Sequence, residues 1–565
     1  MTAPTATPWT SQYADGVPHH IAPVTETLVD VITDSTTRYA KRPALEFFGA
    51  ETSYGELGEQ ISRAAEGLRR VGVTAGDRVA LVLPNCPQHI VAFYAVLRLG
   101  AVVVEHNPLY TDREMRHQFE DHGAKIVIAW DKVAARLQTL PADIAFDTVI
   151  SVDLTRSMPF SMRLKLRLPV PKAREARSAL TGAAKGTTSW ETLTSARQLS
   201  KRHPRPAVDD LAVLQYTSGT TGHPKGAMLT HANLVANAAQ GRAWVPGLTP
   251  GEETVYAVLP MFHAYGLTLC VTFAMSIGAR LVLFPRFDVD LVLTAARKHP
   301  PTFLPAVPPI YERLAAAATE KKVDLRSVRF SISGAMTLPV TTVDTWEAVT
   351  GGYLVEGYGL TETSPVALGN PIGPTRRPGT VGVPFPSTLM RVVDPESPTD
   401  DVTPGEKGEL LLKGPQVFQG YWRRPDETGE VLLPGGWFRT GDIVTVDGDG
   451  FVTIVDRIKE LIITGGFNVS PSEVESTVRQ APGVRDAAVV GIPRPDGSED
   501  VVAAVVLDGS SPLDESAVRD HCREHLAAYK VPKRVVELDE LPTSLIGKVL
   551  RKKVRDGLID SGAAS

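Results

Sequence analysis

Apolar residues along the chain follow two patterns that alternate, namely helical spacing and short continuous runs. Between Tyr54 and Val71 they recur at helical spacing, which predicts an amphipathic helix. The continuous apolar runs at 78–84 and 100–104 predict buried strands, and the apolar stretch at 90–99 between them predicts a helix. Strands that alternate with helices predict an α/β fold with parallel-rich sheets, in which ligands bind at the carboxyl ends of the strands.

The same alternation starts again after the glycine-rich turn at 447–450. Strand patterns at 487–492 and 501–507, followed by a helix pattern at 515–526, predict a separate small module. A chain of 565 residues is also longer than one typical domain. We therefore expect a large N-terminal domain of α/β subdomains, residues 1–455, and a small C-terminal α+β domain, residues 456–565.

Composition excludes several classes of protein. The formal net charge of −5 argues against a general nucleic-acid-binding protein, so we expect no nucleic-acid partner. Cys86, Cys270 and Cys522 lie far apart, which disfavours a zinc site or a disulfide framework and suits a reducing cytoplasm. The N-terminus has no signal-peptide pattern. The apolar stretch at 267–284 is interrupted by polar residues, which favours a buried helix running into a strand over a membrane span.

The segment 155–177 differs from the rest of the chain in charge. It holds seven basic residues and a single acid, Glu175. Within it, the run at 162–168 alternates strictly between apolar and basic side chains. One interpretation, which we favour, is an edge strand that charged side chains guard against further pairing. The other is a basic and apolar strip that lies on an anionic membrane surface.

One stretch, 216–226, concentrates glycine, hydroxyl and lysine side chains between two apolar runs. It follows the strand pattern at 211–215 and precedes a segment, 227–234, that can start a helix with Thr230 as its cap. A strand, a glycine loop and a helix form the setting in which backbone N–H groups converge on a phosphate. Hydroxyl groups add donors and a lysine adds a positive charge. The candidate phosphate-binding residues are Thr217, Ser218, Gly219, Thr220, Thr221, Gly222 and Lys225.

This loop is not a Walker A motif. That pattern requires glycine directly before the lysine, whereas here Pro224 precedes Lys225 and Gly226 follows it. A P-loop NTPase is therefore not expected. The loop instead resembles the phosphate-binding motif of the adenylate-forming superfamily, which contains acyl-CoA synthetases, luciferases and the adenylation domains of peptide synthetases.

Five further motifs resemble the same superfamily and follow in its order along the chain. They are the His motif at 259–266, Tyr-Gly-Leu-Thr-Glu at 358–362, Thr-Gly-Asp at 440–442, Asp-Arg-x-Lys at 456–459 and Gly-Lys at 547–548. The matches extend from about Tyr54 to Arg551, which is nearly the whole chain. The basic segment and the ending at 544–548 are most similar to long-chain fatty-acid–CoA ligases.

The resemblance implies a nucleotide site. The turn after the strand at 328–333 would border adenine, Asp442 and Arg457 would hold the ribose, and Glu362 would bind Mg²⁺ together with Thr217. A carboxylate beside a polyphosphate makes sense chiefly as a metal ligand, because like charges otherwise repel. The full set of expected ATP- and AMP-binding residues is Thr217, Ser218, Gly219, Thr220, Thr221, Gly222, Lys225, Gly334, Ala335, Gly357, Tyr358, Gly359, Thr361, Asp442, Arg457, Lys459 and Lys548.

The resemblance also implies sites for the acid and for CoA. Lys548, His263, Thr361 and Glu362 are the expected catalytic residues, and Asp456 is the expected hinge of a mobile C-terminal domain. Gly359 stands where acetate-selective members carry tryptophan, which suggests room for a longer acyl chain. The expected acyl pocket is His263, Tyr265, Gly266 and Gly359; the expected CoA channel is Gly465 and Gly466; and 551–553 are expected to form a solvated basic tail.

These matches imply an ATP-dependent, AMP-forming acyl-CoA synthetase. It would convert a long-chain fatty acid, ATP and CoA to acyl-CoA, AMP and pyrophosphate through an acyl-adenylate, with Mg²⁺ as cofactor. A medium-chain or aryl-acid (coumarate-like) CoA ligase would keep every motif. A fatty acyl-AMP ligase serving a carrier protein usually has an insertion after the Thr-Glu motif, and 364–440 show none. The expected location is cytoplasmic, with peripheral contact at the inner face of the membrane and a homodimer as options.

Overall fold

The computed structural model of the chain describes residues 7–140, 144, 146–217, 224–464, 467–494, 499–544 and 547–563, without the side chains of Lys459, Phe467 and Asn468. It divides into two compact units. The first contains Trp9–Leu389 and Lys413–Gly436, and the second contains Met390–Leu412 and the chain from Trp437 onward. The predicted boundary after residue 455 thus lies inside the second unit. That the C-terminal domain moves about this boundary stays a proposal.

The strands are β1 Pro43–Phe47, β2 Ala50–Ser53, β3 Arg78–Val82, β4 Val102–Glu105, β5 Ile126–Trp130, β6 Thr148–Val152, β7 Thr188–Ser189, β8 Leu211–Tyr216, β9 Gly226–Thr230, β10 Thr254–Ala257, β11 Arg280–Leu283, β12 Phe303–Ala306, β13 Phe330–Ser333, β14 Tyr353–Gly359, β15 Val366–Gly369, β16 Val383–Pro384, β17 Leu389–Val393, β18 Gly408–Lys413, β19 Leu432–Leu433, β20 Trp437–Val446, β21 Val452–Arg457, β22 Ile462–Thr464, β23 Phe467–Val469, β24 Val484–Pro493, β25 Glu499–Leu507 and β26 Arg534–Glu537.

The α-helices are α1 Leu28–Arg38, α2 Tyr54–Arg70, α3 Pro87–Arg98, α4 Asp112–His122, α5 Asp131–Leu137, α6 Phe160–Lys165, α7 Pro171–Leu180, α8 Trp190–Thr194, α9 His231–Trp244, α10 Ala264–Gly266, α11 Ala274–Ser276, α12 Val289–Ala296, α13 Pro308–Lys321, α14 Val340–Thr350, α15 Pro425–Val431, α16 Pro471–Val478, α17 Glu515–His525 and α18 Arg551–Asp560. A π-helical segment, Leu267–Phe273, joins α10 to α11.

Two sheets organise the first unit. Seven strands lie in the order β7-β6-β5-β3-β4-β8-β9, and all neighbours are parallel except β8 and β9. Nine strands form the second sheet in the order β16-β15-β14-β13-β12-β10-β11-β1-β2, with β10 to β14 parallel. The predicted α/β class with parallel-rich sheets is confirmed, and the turns that leave β8, β13 and β14 carry predicted site residues.

Several predicted elements are confirmed within this unit. The helix α2 begins at Tyr54 because the Ser53 hydroxyl accepts the Glu56 N–H, and its buried side chains include Leu57 and Ile61. The apolar stretch at 267–284 is a buried helical segment that runs into β11, as expected. No helix in the described part of the chain is long and apolar enough to cross a membrane.

The favoured interpretation of the basic segment is wrong, since its alternating run forms the helix α6 and the turn after it rather than an edge strand. A second helix, α7, follows with proline at its first position. Strict alternation also places apolar residues four apart, so Phe160 and Leu164 occupy one helical face. The period of two was therefore compatible with a helix as well as with a strand.

In the second unit, β24, β25 and β26 form a sheet covered on both faces. Ala487 and Val489 pack with α16 and α17, whereas the alternate residues Ala488 and Val490 pack with α18. The strands β20 and β21 pair antiparallel in the same unit and place Asp442 opposite Arg457. The small C-terminal module expected from the sequence is therefore present.

Candidate active site

The predicted phosphate loop connects two antiparallel strands. The Thr217 N–H donates to the Lys225 carbonyl over 2.9 Å, which closes the loop at its base. The predicted residues Ser218, Gly219, Thr220, Thr221 and Gly222 lie outside the described residues.

The predicted helix begins at its predicted cap, but a strand separates it from the loop. The strand β9 intervenes, and α9 begins only at His231, where Thr230 caps it as predicted. Thr230 lies opposite Leu211, the first residue of β8. The N-terminus of α9 is therefore at the far end of the hairpin from the loop, and the expectation that it faces the phosphate is wrong.

Lys225, predicted to hold phosphate, and Glu362, predicted to hold Mg²⁺, both contact the side chain of Tyr421. The Lys225 Nζ lies 5.1 Å from the centre of the Tyr421 ring and forms an ion pair with Glu427. The Tyr421 hydroxyl donates to Glu362 Oε1 over 2.7 Å. Burial, and next the charge of Glu362, raise the pKa of Tyr421 well above its usual range, so it stays a neutral donor.

Sequence reasoning missed Tyr421 and Glu427. They belong to a segment, 418–427, whose only signal in the sequence is a run of aromatic residues and charges after Gly420. Their importance depends on tertiary contacts, because the segment lies beside β9 through a bridge between Ala227 and Tyr421. The Phe418 N–H also donates to the Glu362 carbonyl over 2.8 Å, which fixes the turn that carries this carboxylate.

The turn predicted to border adenine follows β13. Ala335 has a φ of +65°, a left-handed conformation that a non-glycine residue rarely adopts. A Cβ atom on Gly334 would lie 3.2 Å from the Tyr265 ring and 3.4 Å from the Gly357 carbonyl, so a side chain there would crowd both. The structure thus brings Gly334 together with two other predicted site residues. Tyr358, next in β14, is buried.

His263 lies at the start of α10. Its Nδ1 accepts the Tyr265 N–H over 3.3 Å, which leaves the proton of the neutral ring on Nε2. Burial lowers the pKa of His263 to about 4, so the ring is neutral at pH 7 and can donate from Nε2 without carrying a charge. The loop before it is held by Asn85, which sequence reasoning missed. Asn85 bonds the carbonyls of Ala257 and Leu259 and the Met261 N–H over 2.7–2.9 Å.

A narrow apolar cavity of about 20 Å³ lies between α9, the π-helical segment and the nine-stranded sheet. Trp244, Phe273, Phe303 and Ile332 are among the side chains that line it, together with Gly357. The four residues predicted for the acyl pocket are all described and do not line this cavity.

The predicted pocket residues have close structural contacts. The Tyr265 hydroxyl donates to the Ile332 carbonyl over 2.6 Å. Cβ atoms on Gly266 and Gly359 would lie 2.1 Å and 1.8 Å from the carbonyl oxygens of Pro260 and Pro365. Glycine at 359 is therefore required by the backbone that packs against it, whatever its effect on acyl-chain length.

In the second unit, the predicted ribose residues form an ion pair. Arg457 Nε lies 2.8 Å from Asp442 Oδ1, and the side chain of Asp442 is almost fully buried. Of the neighbouring predicted residues, Lys459 has a backbone placed in a short 3₁₀ helix, Ile458–Glu460, while its side chain is not described. The predicted CoA residues Gly465 and Gly466 lie outside the described residues.

Lys548 interacts electrostatically with the Asp442–Arg457 ion pair. Its backbone is held by two bonds to Ser544, and Gly547 before it has a φ of +81°, which favours glycine. Burial, with help from the positive charge of Arg457, lowers the pKa of Lys548 to about 8, and Glu460 and Asp442 act in the opposite direction. A half-buried lysine with such a pKa is a candidate functional group.

Arg551 is not part of a solvated tail, which corrects the expectation from the sequence. Its guanidinium binds both oxygens of Glu475 over 2.7 and 2.8 Å, donates to the Ser472 hydroxyl over 2.9 Å and contacts Glu460. These contacts raise the pKa of Arg551 above its usual value. The network anchors the start of α18, three residues after Lys548.

Asp456, the predicted hinge residue, is buried at the end of β21. Its carboxylate accepts the Ser470 hydroxyl, the Ser472 N–H over 3.2 Å and the Arg457 N–H over 2.8 Å. These bonds connect β21 to the start of α16.

Comparison with known proteins places this geometry in a family. The model of the AMP-binding enzyme family matches residues 32–422, and the model of the AMP-binding enzyme C-terminal domain matches residues 473–548. The chain is a member of the AMP-binding enzyme family. The resemblance to the adenylate-forming superfamily is thereby confirmed.

Relatives of this AMP-binding enzyme cover almost its whole length. It is 36% identical over 555 residues to a long-chain-fatty-acid–CoA ligase of Bacillus subtilis, covering 97% of each chain. It is 35% identical over 518 residues to a feruloyl-CoA synthase of Amycolatopsis, covering 91% of this chain and 95% of the relative. The ATP-bound structure of MatB from Rhodopseudomonas palustris is similar with a TM-score of 0.81 and 31% identity, covering 94% of this chain and 99% of MatB.

Proposed function

We propose that this AMP-binding enzyme is an ATP-dependent acyl-CoA synthetase that activates long-chain fatty acids. The observation that carries the proposal is the site in the second unit, where the half-buried Lys548 lies in the field of the Asp442–Arg457 pair and burial lowers its pKa to about 8. A lysine and a ribose-binding pair suit transfer of an adenylyl group. The long-chain acid is proposed from the long-chain-fatty-acid–CoA ligase relatives.

The proposed reaction has two steps. A carboxylate is a poor electrophile, so its oxygen first attacks the α-phosphorus of ATP, and the bond to pyrophosphate breaks. The thiolate of CoA then attacks the acyl carbon, and the bond to AMP breaks. The first step depends more on neutralising phosphoryl oxygens than on a base. In this proposal Lys548 bridges the carboxylate and the α-phosphate, and the described ends of the loop, Thr217 and Lys225, hold the outer phosphates.

Two further groups complete the proposed adenylation site. Asp442 accepts hydrogen bonds from the ribose hydroxyls, and Arg457 orients it. His263, neutral and protonated on Nε2, donates a hydrogen bond to the acyl carboxylate. The Thr361 hydroxyl, in the 3₁₀ turn next to Glu362, adds a phosphate contact.

The residues around Glu362 suit Mg²⁺. Mg²⁺ prefers oxygen ligands and is commonly held by one or two carboxylates together with substrate phosphates. Glu362 supplies a buried carboxylate whose orientation is fixed by Tyr421, and Thr217 supplies a hydroxyl at the base of the phosphate loop. Bound Mg²⁺ would offset the charge of the polyphosphate, so the carboxylate could lie beside it.

We propose that the C-terminal domain turns between the two steps. Lys548 serves the first step, whereas Gly465 and Gly466 would border the CoA channel in the second, and the turn would occur at Asp456. Lys548→Ala should then abolish acyl-adenylate formation and leave thioester formation from supplied acyl-adenylate largely intact. Equal losses in both steps would contradict the rotation.

The substrate class is tested by one incubation with MgATP, CoA and acids from acetate to stearate plus a cinnamate, with products identified by mass spectrometry. Long-chain acyl-CoA as the main product is expected. Aryl-CoA alone would favour an aryl-acid CoA ligase, the alternative that the feruloyl-CoA synthase relative supports. Acyl-adenylate that accumulates despite CoA would favour a ligase serving a carrier protein.

We propose a peripheral protein at the inner face of a membrane, supported by the exposed apolar side chains between Phe160 and Val170. A homodimer stays a prediction, which sedimentation of the purified chain would test.

A further inference from the structure

The segment 160–180 presents an unusual combination of side chains on the outside of the first unit. Its large apolar residues Phe160, Leu164, Leu168 and Val170 are 76%, 57%, 51% and 46% exposed. Neither α6 nor α7 has a buried residue. Single exposed apolar residues are common, but four within eleven consecutive positions form a patch that calls for a partner.

The patch has a defined shape. Phe160 and Leu164 lie four apart on α6, and backbone bonds from Arg167 to Leu164 and from Leu168 to Lys165 continue the turn to Leu168. The three apolar side chains therefore recur once per turn. We call the surface formed by 160–170 and α7 the α6–α7 surface.

Both ends of the α6–α7 surface are anchored to the first unit. Before it, Leu154 and Met158 are buried. After it, the Trp130 indole N–H donates to the Leu180 carbonyl over 2.9 Å, and the Thr181 hydroxyl contacts Asp131. The exposed apolar residues thus lie on a segment that is held in place, so binding a partner there does not require folding of a free tail.

The α6–α7 surface is also strongly basic. It carries six basic side chains and one acid, Glu175, and within the described ranges none of the six forms an ion pair. The charges are thus available to an anionic partner. The six are Arg163, Lys165, Arg167, Lys172, Arg174 and Arg177.

We infer that the α6–α7 surface is the site at which this chain binds an anionic lipid membrane. Apolar side chains alternating with lysine and arginine suit an interface in which hydrocarbon lies directly behind acidic headgroups. A protein partner is a poorer match, because the centres of protein interfaces are depleted of charged residues, whereas here charged side chains lie between the apolar ones. The inference rests on the peripheral location in the proposed function and adds the surface and the lipid charge.

Vesicle flotation of the full-length protein tests the inference. Vesicles of phosphatidylcholine with one-third phosphatidylglycerol should carry the protein upward, whereas pure phosphatidylcholine vesicles or high salt should not. Each basic residue near the membrane contributes about fivefold to binding, so Arg163→Ser/Lys165→Ser/Arg167→Ser should weaken it by about 100-fold. Phe160→Ser/Leu164→Ser should weaken it by about tenfold or more.

Matched controls distinguish membrane binding through the α6–α7 surface from non-specific adsorption to vesicles. Leu109→Ser/Ile559→Ser removes two exposed apolar residues elsewhere, and Lys201→Ser/Arg202→Ser/Lys552→Ser removes three exposed charges. Both should float like the wild type. None of these changes touches a proposed active-site residue, so acyl-CoA synthesis from detergent-dispersed acid should stay unchanged in all variants. Loss of that activity with intact flotation would contradict the enzyme assignment alone.

A labelled cysteine locates the contact directly. Cys86, Cys270 and Cys522 are buried, so an environment-sensitive dye should react selectively with Ser161→Cys on α6 or with the control Ser200→Cys. Anionic vesicles should shift the emission of the first to shorter wavelength and leave the second unchanged. Absence of flotation, equal flotation of the basic triple variant, or an unshifted dye at 161 would overturn the inference. Loss of self-association in Phe160→Ser/Leu164→Ser without any vesicle binding would instead identify a second copy as the partner.

Discussion

The lowered pKa of Lys548 predicts an unusual pH dependence for the first half-reaction. Only the charged ammonium can neutralise the carboxylate and the α-phosphate as proposed. Burial lowers the pKa of this group in the free protein to about 8, from a usual value of 10.5. The folded protein therefore loses the charge as the pH rises through about 8, long before an ordinary lysine would.

The magnitude follows from this shift. With a pKa of about 8, the charged fraction falls from about nine-tenths at pH 7 to about one-tenth at pH 9, which predicts an almost tenfold loss in kcat/KM for ATP. An ordinary lysine would stay almost fully charged over the same range. Bound ATP adds negative charge and should raise the pKa, so kcat should fall at a higher pH than kcat/KM does.

The assay is pyrophosphate release without CoA, because the CoA thiol titrates in the same range. Lys548→Arg should be slower overall, yet its kcat/KM should stay flat to pH 9.5, because a guanidinium keeps its charge. A wild-type profile that is flat to pH 9.5, or a Lys548→Arg profile that falls in parallel with the wild type, would refute the assignment of the titrating group.

Three substitutions test other contacts. Tyr421→Phe removes the donor to Glu362, and loss of a hydrogen bond to a charged group should slow pyrophosphate release about 10- to 100-fold; a change within twofold would contradict the role. Arg551→Met removes the two hydrogen bonds of Arg551 to the buried Glu475, which keeps only the Arg479 side chain at 3.6 Å and the Val489 N–H, and should cost about 1.5–3 kcal/mol, seen as a lower urea midpoint for the second unit; an unchanged midpoint would contradict it. Gly359→Ala puts a methyl group against a backbone carbonyl and should lower the free energy of unfolding by about 1–3 kcal/mol. Calorimetry would detect this loss as a lower melting temperature.

Short sequence patterns predicted well those features that depend on neighbouring residues. The strand before the phosphate loop and the cap at Thr230 depend on neighbouring residues, and the structure contains both. The α/β class followed from the alternation of apolar runs. These features could be predicted because each depends on a few consecutive side chains.

Features decided by tertiary packing could not be predicted in this way. The pairing of β9 with β8 extends the chain between the loop and Thr230, so the predicted helix begins at the far end of the hairpin and not beside the loop. Arg551 lies in a run of basic residues that resembles a solvated tail, and only the distant acids Glu460 and Glu475 make it a half-buried anchor. The cavity wall likewise comes from α9 and the π-helical segment, whose side chains meet only in the folded unit.

The contacts within the second unit also bear on the proposed hinge. All named partners of Arg551, namely Glu460, Ser472 and Glu475, follow residue 456 in the chain, as does Lys548. A turn at Asp456 would therefore carry Lys548 and its anchor together, without breaking the network that positions it. The Arg457–Asp442 ion pair, in contrast, joins the two sides of the hinge. If Asp442 holds the ribose in both half-reactions, Arg457 is the side chain whose contact must be remade when the domain turns, and Arg457→Ala should slow the exchange between the steps more than it weakens ATP binding.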